Sequence, residues 1–396
     1  MRAYLDHAAT TPLRPEARDA WLRASALVGN ASSIHGGGQE ARRLLEESRE
    51  RIAAVVQCDP IELVLTSGGT ESVNLALKGL WWARPSGTDA IVLPDAEHHA
   101  TLDTVAWLAA HEGARVIPAP VDGQARIDSG AFGRATRDAD VALATALVAN
   151  NEAGTLNDIA ALERAAREAG IPLHLDAISA FGHVPVSFRE WRGDVAGQTG
   201  LVALSLSAHK VGGPVGVGAL VVARAADPTA LQHGGGQQRG LRSGTQDVAG
   251  AAAFAIAAEL AEAEREAEAV RLSVLRDRMI AGVLNLVPSA ELLGDPVDRL
   301  PGNAHVLFPG ASGDALLFLM DRAGVAVSTG SACQAGVPEP SHVVLAMGRD
   351  QHEARSVLRL TLGRTSTAAD VEVLLAALPD AYARAVASGA RPASRS

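Results

Sequence analysis

The stretch Leu201-Val202-Ala203-Leu204-Ser205-Leu206-Ser207-Ala208-His209-Lys210-Val211-Gly212-Gly213-Pro214 carries an apolar run into a lysine and then a glycine-rich turn. Residues 201–206 read as a strand. Similar runs recur at 61–66, 90–93, 141–144, 173–176 and 218–222. Helix-like segments lie between them; that at 159–168 closes at Gly170, a fitting C-cap. Strands alternating with helices imply a mostly parallel sheet covered on both faces, an α/β fold. The character changes near Asp247. Residues 249–286 are rich in Ala, Glu and Arg and periodic, which predicts a long helix with at most one break. Strand-like pieces at 304–307, 325–328 and 357–362, with further helices, predict a smaller α+β domain. The tail 388–396 is small and polar and is expected to fray.

The chain has 396 residues, enough for two domains. Apolar residues make up 47% and charged residues 20%, which fits a globular protein rather than a disordered or fibrous one. Aromatics are only 3%, so Ala, Val and Leu must build the core. A net charge of −10 argues against a direct nucleic-acid partner. No apolar run is long enough to span a bilayer, and the opening Met1 to His7 lacks the apolar region of a signal peptide. Two distant cysteines, Cys58 and Cys333, exclude a disulfide framework and point to a reducing cytoplasm. They also cannot form a cysteine-rich zinc site, and His98-His99 are adjacent rather than at helical ligand spacing, so no metal site is expected.

Three segments carry chemistry. Thr66-Ser67-Gly68-Gly69-Thr70-Glu71-Ser72 follows a strand and opens a helix-like run. It offers free N–H groups and hydroxyls, so it is either a phosphate cradle or an ordinary N-cap. It is not a Walker A loop, because no Gly-Lys-Ser/Thr follows. Asp176, in His174-Leu175-Asp176-Ala177, ends a strand where open α/β sheets bind ligands. Its carboxylate could keep a pyridine nitrogen protonated, or simply cap a helix. Lys210 could reach the same crevice, where partial desolvation favours the neutral, nucleophilic amine, or could lie on the surface as most lysines do. Only Lys78 and Lys210 occur in the chain, and Lys78 has no such setting.

Together with the opening Tyr4-Leu5-Asp6-His7-Ala8-Ala9-Thr10-Thr11, these segments resemble the class V aminotransferase family of fold-type I pyridoxal-phosphate enzymes, and within it the cysteine desulfurases of the NifS/IscS type. The likeness runs from Tyr4 to about Ser366. It implies a large domain with a mostly parallel seven-stranded sheet over 15–250. It also implies a smaller α+β domain, from 1–14 and 251–396, that carries a cysteine loop. By resemblance, Lys210 anchors pyridoxal 5'-phosphate and Asp176 pairs with the ring nitrogen. His98 stacks on the ring and moves protons. Gly69, Thr70, Ser207 and His209 hold the phosphate, with Thr245 donated by the partner of a homodimer. Asn151 lies beside the cofactor and meets the substrate, Arg359 clamps the substrate carboxylate, and Asn30 assists it. An Arg fork suits that task through paired hydrogen bonds.

Cys333 stands in Ser328-Thr329-Gly330-Ser331-Ala332-Cys333-Gln334-Ala335-Gly336, a run of small residues and glycines that reads as a loop leaving the thiol accessible. Cys58 fits the commoner fate of a buried small hydrophobe or a plain surface thiol. The Cys333 segment looks like the long-loop desulfurase signature. The resemblance therefore implies conversion of L-cysteine to L-alanine, with the sulfur held as a persulfide on Cys333. A sulfur-acceptor protein would receive it, for iron–sulfur cluster assembly or thiolation. The accessible cysteine argues against another class V aminotransferase or lyase, and the intact residue set argues against a catalytically weakened sulfur-transfer scaffold. One departure stands out: the family usually places Gln three residues after the pairing Asp, and this chain has Ser179. Ser is two atoms shorter, so a bridging water and an altered cofactor tuning are expected there.

Overall fold

The computed structural model describes residues 2–330 and 339–389. Its strands are β1 (Ala3–Tyr4), β2 (Leu63–Thr66), β3 (Ala90–Pro94), β4 (Arg115–Ala119), β5 (Val141–Leu147), β6 (Pro172–Asp176), β7 (Gly200–Ser207), β8 (Gly218–Val222), β9 (Glu291–Leu293), β10 (Asn303–Leu307), β11 (Val325–Ala326) and β12 (Val357–Thr361). Seven of them form one sheet in the order β2-β8-β7-β6-β5-β3-β4. Only β8 runs against its neighbours, pairing antiparallel with β2 and β7, so the expected mostly parallel seven-stranded sheet is present. β5 and β7 are buried along their whole length, as strands covered by helices on both faces must be. β4 lies at the edge, is largely exposed and carries Pro118, which an edge strand tolerates.

Helix Ile159–Ala169 ends at Gly170 with φ 74°, the left-handed cap its sequence promised. The strand expected over 61–66 starts only at Leu63. Pro60–Glu62 instead form a short 3-10 turn, because Asp59 and Glu62 cap each other's backbone and Pro60 sets the first turn. Likewise β11 stops at Ala326, and Ser328 joins β12 only through a bridge to Arg359.

The alanine-rich stretch forms one unbroken helix, Val248–Leu286, about 58 Å long at 1.5 Å per residue. Its first half, Ala251 to Ala261, packs into the apolar core around the seven-stranded sheet. Its second half, Leu272 to Val283, packs into another core with Leu5, Val306, Leu316, Leu358 and Leu374. That core covers the small sheet β12-β10-β9 and the parallel pair β1-β11. Among the described residues, no helix is long and apolar enough to cross a membrane.

Candidate active site

A cavity of about 400 Å³ opens at the carboxyl ends of β5, β6 and β7, between the seven-stranded sheet and β12. That is where parallel strands stop and helix N-termini begin, so backbone donors and strand-end side chains converge. Asp176 ends β6, Ser207 ends β7, and Lys210 follows in the 3-10 turn Ala208–Lys210. The ladder fixes their spacing, since Asp176 sits opposite Ser205. Gly69 and Thr70 open the helix Gly69–Trp82 after β2 and form the far lip.

The Lys210 amine donates to the carbonyls of Ala8 and Ala9. Burial, and then the Arg359 guanidinium, lower its pKa to about 8, while Asp176 and Asp6 hold it up. A neutral amine is therefore within reach near neutral pH, as a nucleophile or base requires. Asp176 is 2% exposed, and its Oδ1 accepts from the Ile178 N–H at 2.9 Å. Burial pushes its carboxyl up to about 6, against the Ile178 N–H and Lys210. Among the described ion pairs none involves Asp176, so a cationic ring nitrogen would supply the missing partner. His98 caps the helix His99–Glu112 by accepting from the Ala100 N–H, which turns its ring into the cavity. Burial, then Lys210, lowers its pKa to about 4, so the ring is neutral and suited to stacking.

Among the described residues, two buried oxygens in the cavity wall, Ser207 Oγ and Asn151 Oδ1, have no hydrogen-bond partner. Leaving such atoms unpaired costs about 1–3 kcal/mol each, so they mark where a polar ligand binds. His209 reaches Thr10 Oγ1 at 3.2 Å, and burial lowers its pKa to about 4. A phosphate-bearing pyridine fits this donor set: a helix N-terminus and hydroxyls for the phosphate, Asp176 for the ring nitrogen, and an amine for the aldehyde carbon.

Arg359, on β12 and 6% exposed, hangs over the cavity. It donates to the Asn151 carbonyl at 3.0 Å and to Asp6 Oδ1 at 3.2 Å, and among the described residues its Nε is unpaired. Ser179 lines the same cavity. Two expected residues lie outside the lining. Asn30 is exposed and accepts from the Ser32 N–H, and Thr245 is exposed just before the long helix. Cys333 falls outside the described residues. Cys58 is buried, and burial pushes its thiol up to about 12, so it is inert as a nucleophile. Among the described residues no group of His, Cys, Asp and Glu is arranged to hold a metal ion.

Sequence reasoning passed over several neighbours of the site. Glu97 is fully buried, accepts from the Leu147 N–H at 2.8 Å and leaves Oε2 unpaired. Burial raises its pKa to about 8, with the Leu147 N–H opposing and Asp176 adding to the rise. Its carbonyl meets His342 Nε2 at 2.8 Å, and the His342 ring packs edge-on against His99, with centroids 4.7 Å apart. Glu152 accepts from Ser341 Oγ at 2.5 Å. The only sequence signal for either acid was its place beside a chemistry-bearing residue, Glu97 before His98 and Glu152 after Asn151.

Comparison with known proteins agrees with this geometry. Residues 3–374 match the family described as aminotransferase class-V. The chain is 49% identical over 389 residues to an IscS-like cysteine desulfurase of Mycobacterium tuberculosis, covering 97% of both. Among solved structures it resembles a NifS-like protein with a TM-score of 0.89 and 31% identity, over 97% of this chain and 100% of that one. It also resembles SspA in complex with cysteine, with a TM-score of 0.77 and 28% identity, over 91% and 98%. The chain belongs to the class-V aminotransferase family and, within it, to the cysteine desulfurases of the IscS and NifS kind, enzymes that depend on pyridoxal phosphate.

Proposed function

We propose that the chain takes sulfur from L-cysteine, leaving L-alanine, and holds that sulfur as a persulfide on Cys333. The observation that carries this reading is one cavity holding Lys210, Asp176, His98 and Arg359. Pyridoxal phosphate, when bound, supplies an electron sink. Asp176 keeps the ring nitrogen protonated. Gly69, Thr70, Ser207 and His209 hold the phosphate. Asn151, with Ser179 near it, borders the ring. Lys210 anchors the cofactor and then takes the α-proton of the substrate at Nζ. The Arg359 fork binds the substrate carboxylate in exchange for its contact with Asp6, with Asn30 assisting. His98 stacks on the ring and carries protons. The Cys333 thiolate attacks the substrate sulfur: the carbon–sulfur bond breaks, a sulfur–sulfur bond forms, and the carbon skeleton leaves as alanine.

The exposed place of Thr245 fits a phosphate contact given to the neighbouring chain of a homodimer, so a partner copy completes each site. The large domain spans 15–250, and the small one spans 1–14 and 251–396. The apolar cores support that division, although the long helix belongs to both. The persulfide goes to an acceptor protein in the cytoplasm, for iron–sulfur cluster assembly or thiolation. The test is release of sulfide and alanine from L-cysteine by the wild type and by Cys333→Ala. The wild type makes both, and the variant loses sulfide release. Equal sulfide from the variant overturns the persulfide step, and no alanine from the wild type overturns the whole reading.

A further inference from the structure

Beside Lys210, next to the main cavity and sharing Ser179 and Asn151 with it, lies a half-open space of about 40 Å³ that Asn303 and His183 also border. At roughly 10–15 Å³ per water it has room for about three or four. Its lining is more apolar than polar, with Leu300 and Leu362 on it, but the amides set into that lining are short of partners. Asn303, at the start of β10, is 3% exposed, yet among the described residues neither its Oδ1 nor its Nδ2 has a hydrogen-bond partner. Asn151 Oδ1 is unpaired as well. The fold makes room for that amide: Gly154 has φ +81°, and a Cβ there would come within 2.7 Å of Asn303 Oδ1. Apolar voids stay dry, whereas a void with several unpaired donors and acceptors holds water.

A second space of about 40 Å³ lies next to the first, and Lys210, His183 and His7 border both. Its other wall carries Glu264 and Glu268 of the long helix, both only partly buried. His7 is engaged, with Thr11 Oγ1 at 2.7 Å and Ser366 Oγ at 3.2 Å. His183 stands between the two spaces; one of its ring nitrogens is held by the Lys210 backbone, which leaves the other to exchange a proton.

We propose that these spaces form a water-filled rear passage, anchored by Asn303 and Asn151, that joins the Lys210 amine to solvent by way of His183. The passage deepens the function proposed above, since it serves the lysine assigned there to the α-proton. Once Lys210 Nζ has taken the α-proton of a substrate in the front cavity, it gives a proton to the nearest water. His183 takes one at its second ring nitrogen and passes it on from that same nitrogen to the next water, and the outermost water returns one to bulk. No electron moves, and each group ends as it began. The waters also stand where the short Ser179 side chain leaves space.

Diffraction from the full chain, with and without pyridoxal phosphate, tests the anchor. Ordered water at about 2.7–3.2 Å from the Asn303 amide is expected in both forms. A dry cavity in either overturns the proposal. Exchange tests the route. The holoenzyme in D₂O should replace the α-hydrogen of L-alanine, followed by proton NMR. His183→Leu should slow that exchange about tenfold or more while alanine binding, read from the cofactor absorbance, holds steady. Exchange at the wild-type rate in His183→Leu overturns the route, as does a wild type that binds alanine without exchanging it. Neither measurement involves Cys333 or sulfide, so failure of the desulfurase reading shows separately.

Discussion

The two walls of the active cavity are built on opposite terms. The front wall, at the ends of β5, β6 and β7, is fixed by backbone ladders: Leu147 pairs with Asp176, Asp176 with Ser205, and Ser207 with Gly218. Its acid and its amine each have a backbone partner, Ile178 for Asp176 and Ala8 for Lys210. The opposite wall is set by the substrate-facing Arg359 of β12, held by Asp6 and the Asn151 carbonyl from distant parts of the chain, and among the described residues its Nε is unpaired, as Ser207 Oγ is on the front wall. At about 1–3 kcal/mol for each unpaired group, a fold keeps such atoms only where something else binds them. Chemistry thus sits on the ladder-fixed side and carboxylate recognition on the side built from long-range contacts, with unpaired polar atoms marking ligand positions on both.

The largest effect should come from breaking the front wall. Lys210→Ala should lower turnover at least about 10³-fold, since the chain loses both its covalent anchor and its base. Borohydride should then fix no cofactor to the protein, while the circular dichroism of the sheet stays as in the wild type. Retained turnover would hand the role to another base.

The opposite wall should respond differently. Arg359→Lys keeps the charge but loses the planar fork, so KM for L-cysteine should rise about tenfold to a hundredfold, the worth of a charged hydrogen bond of about 1.5–3 kcal/mol. kcat should change much less. A fall in kcat at constant KM would place Arg359 with the chemistry and erase the contrast between the walls.

The same contrast explains what was legible in the sequence. Lys210 and Asp176 could be read because strand ends announce themselves locally and one of only two lysines falls there. The sheet was legible for the same reason, as apolar runs between helix-like segments. Arg359 became legible only through resemblance, because its partner Asp6 is 353 residues away in the chain. Asn303 was not legible at all, and Glu152 only through its place after Asn151. Glu152 meets Ser341 across 189 residues, and nothing else local distinguishes either residue from a loop polar group. The long helix was legible in kind but not in continuity. Close ion pairs such as Glu262–Arg265 and Glu268–Arg271 carry it across the region between the two cores.

The smallest effect is the most diagnostic of how Glu97 sits behind the front wall. In the folded chain burial lowers His7, His98 and His209 to about 4 and His174 to about 3, from an ordinary value of 6.5. The unfolded chain therefore binds more protons between pH 6.5 and about 4, and stability falls as pH drops through that window. Asp176, raised to about 6, offsets part of this, because the folded chain holds its proton longer. Glu97 acts the same way over a wider span, from its ordinary 4.5 to about 8. Above pH 6.5 the histidines are neutral in both states, and Glu97 alone among these groups still titrates. The cofactor-free chain should thus melt highest near pH 6.5 and lose a few degrees by pH 8. Glu97→Gln keeps the Leu147 contact without the ionisation, so it should flatten the decline between pH 6.5 and 8 and leave the acid side as steep as before. If the variant keeps the alkaline decline, the Glu97 carboxyl is already ionised in the fold, and its Oε2 has a partner that draws the charge inward.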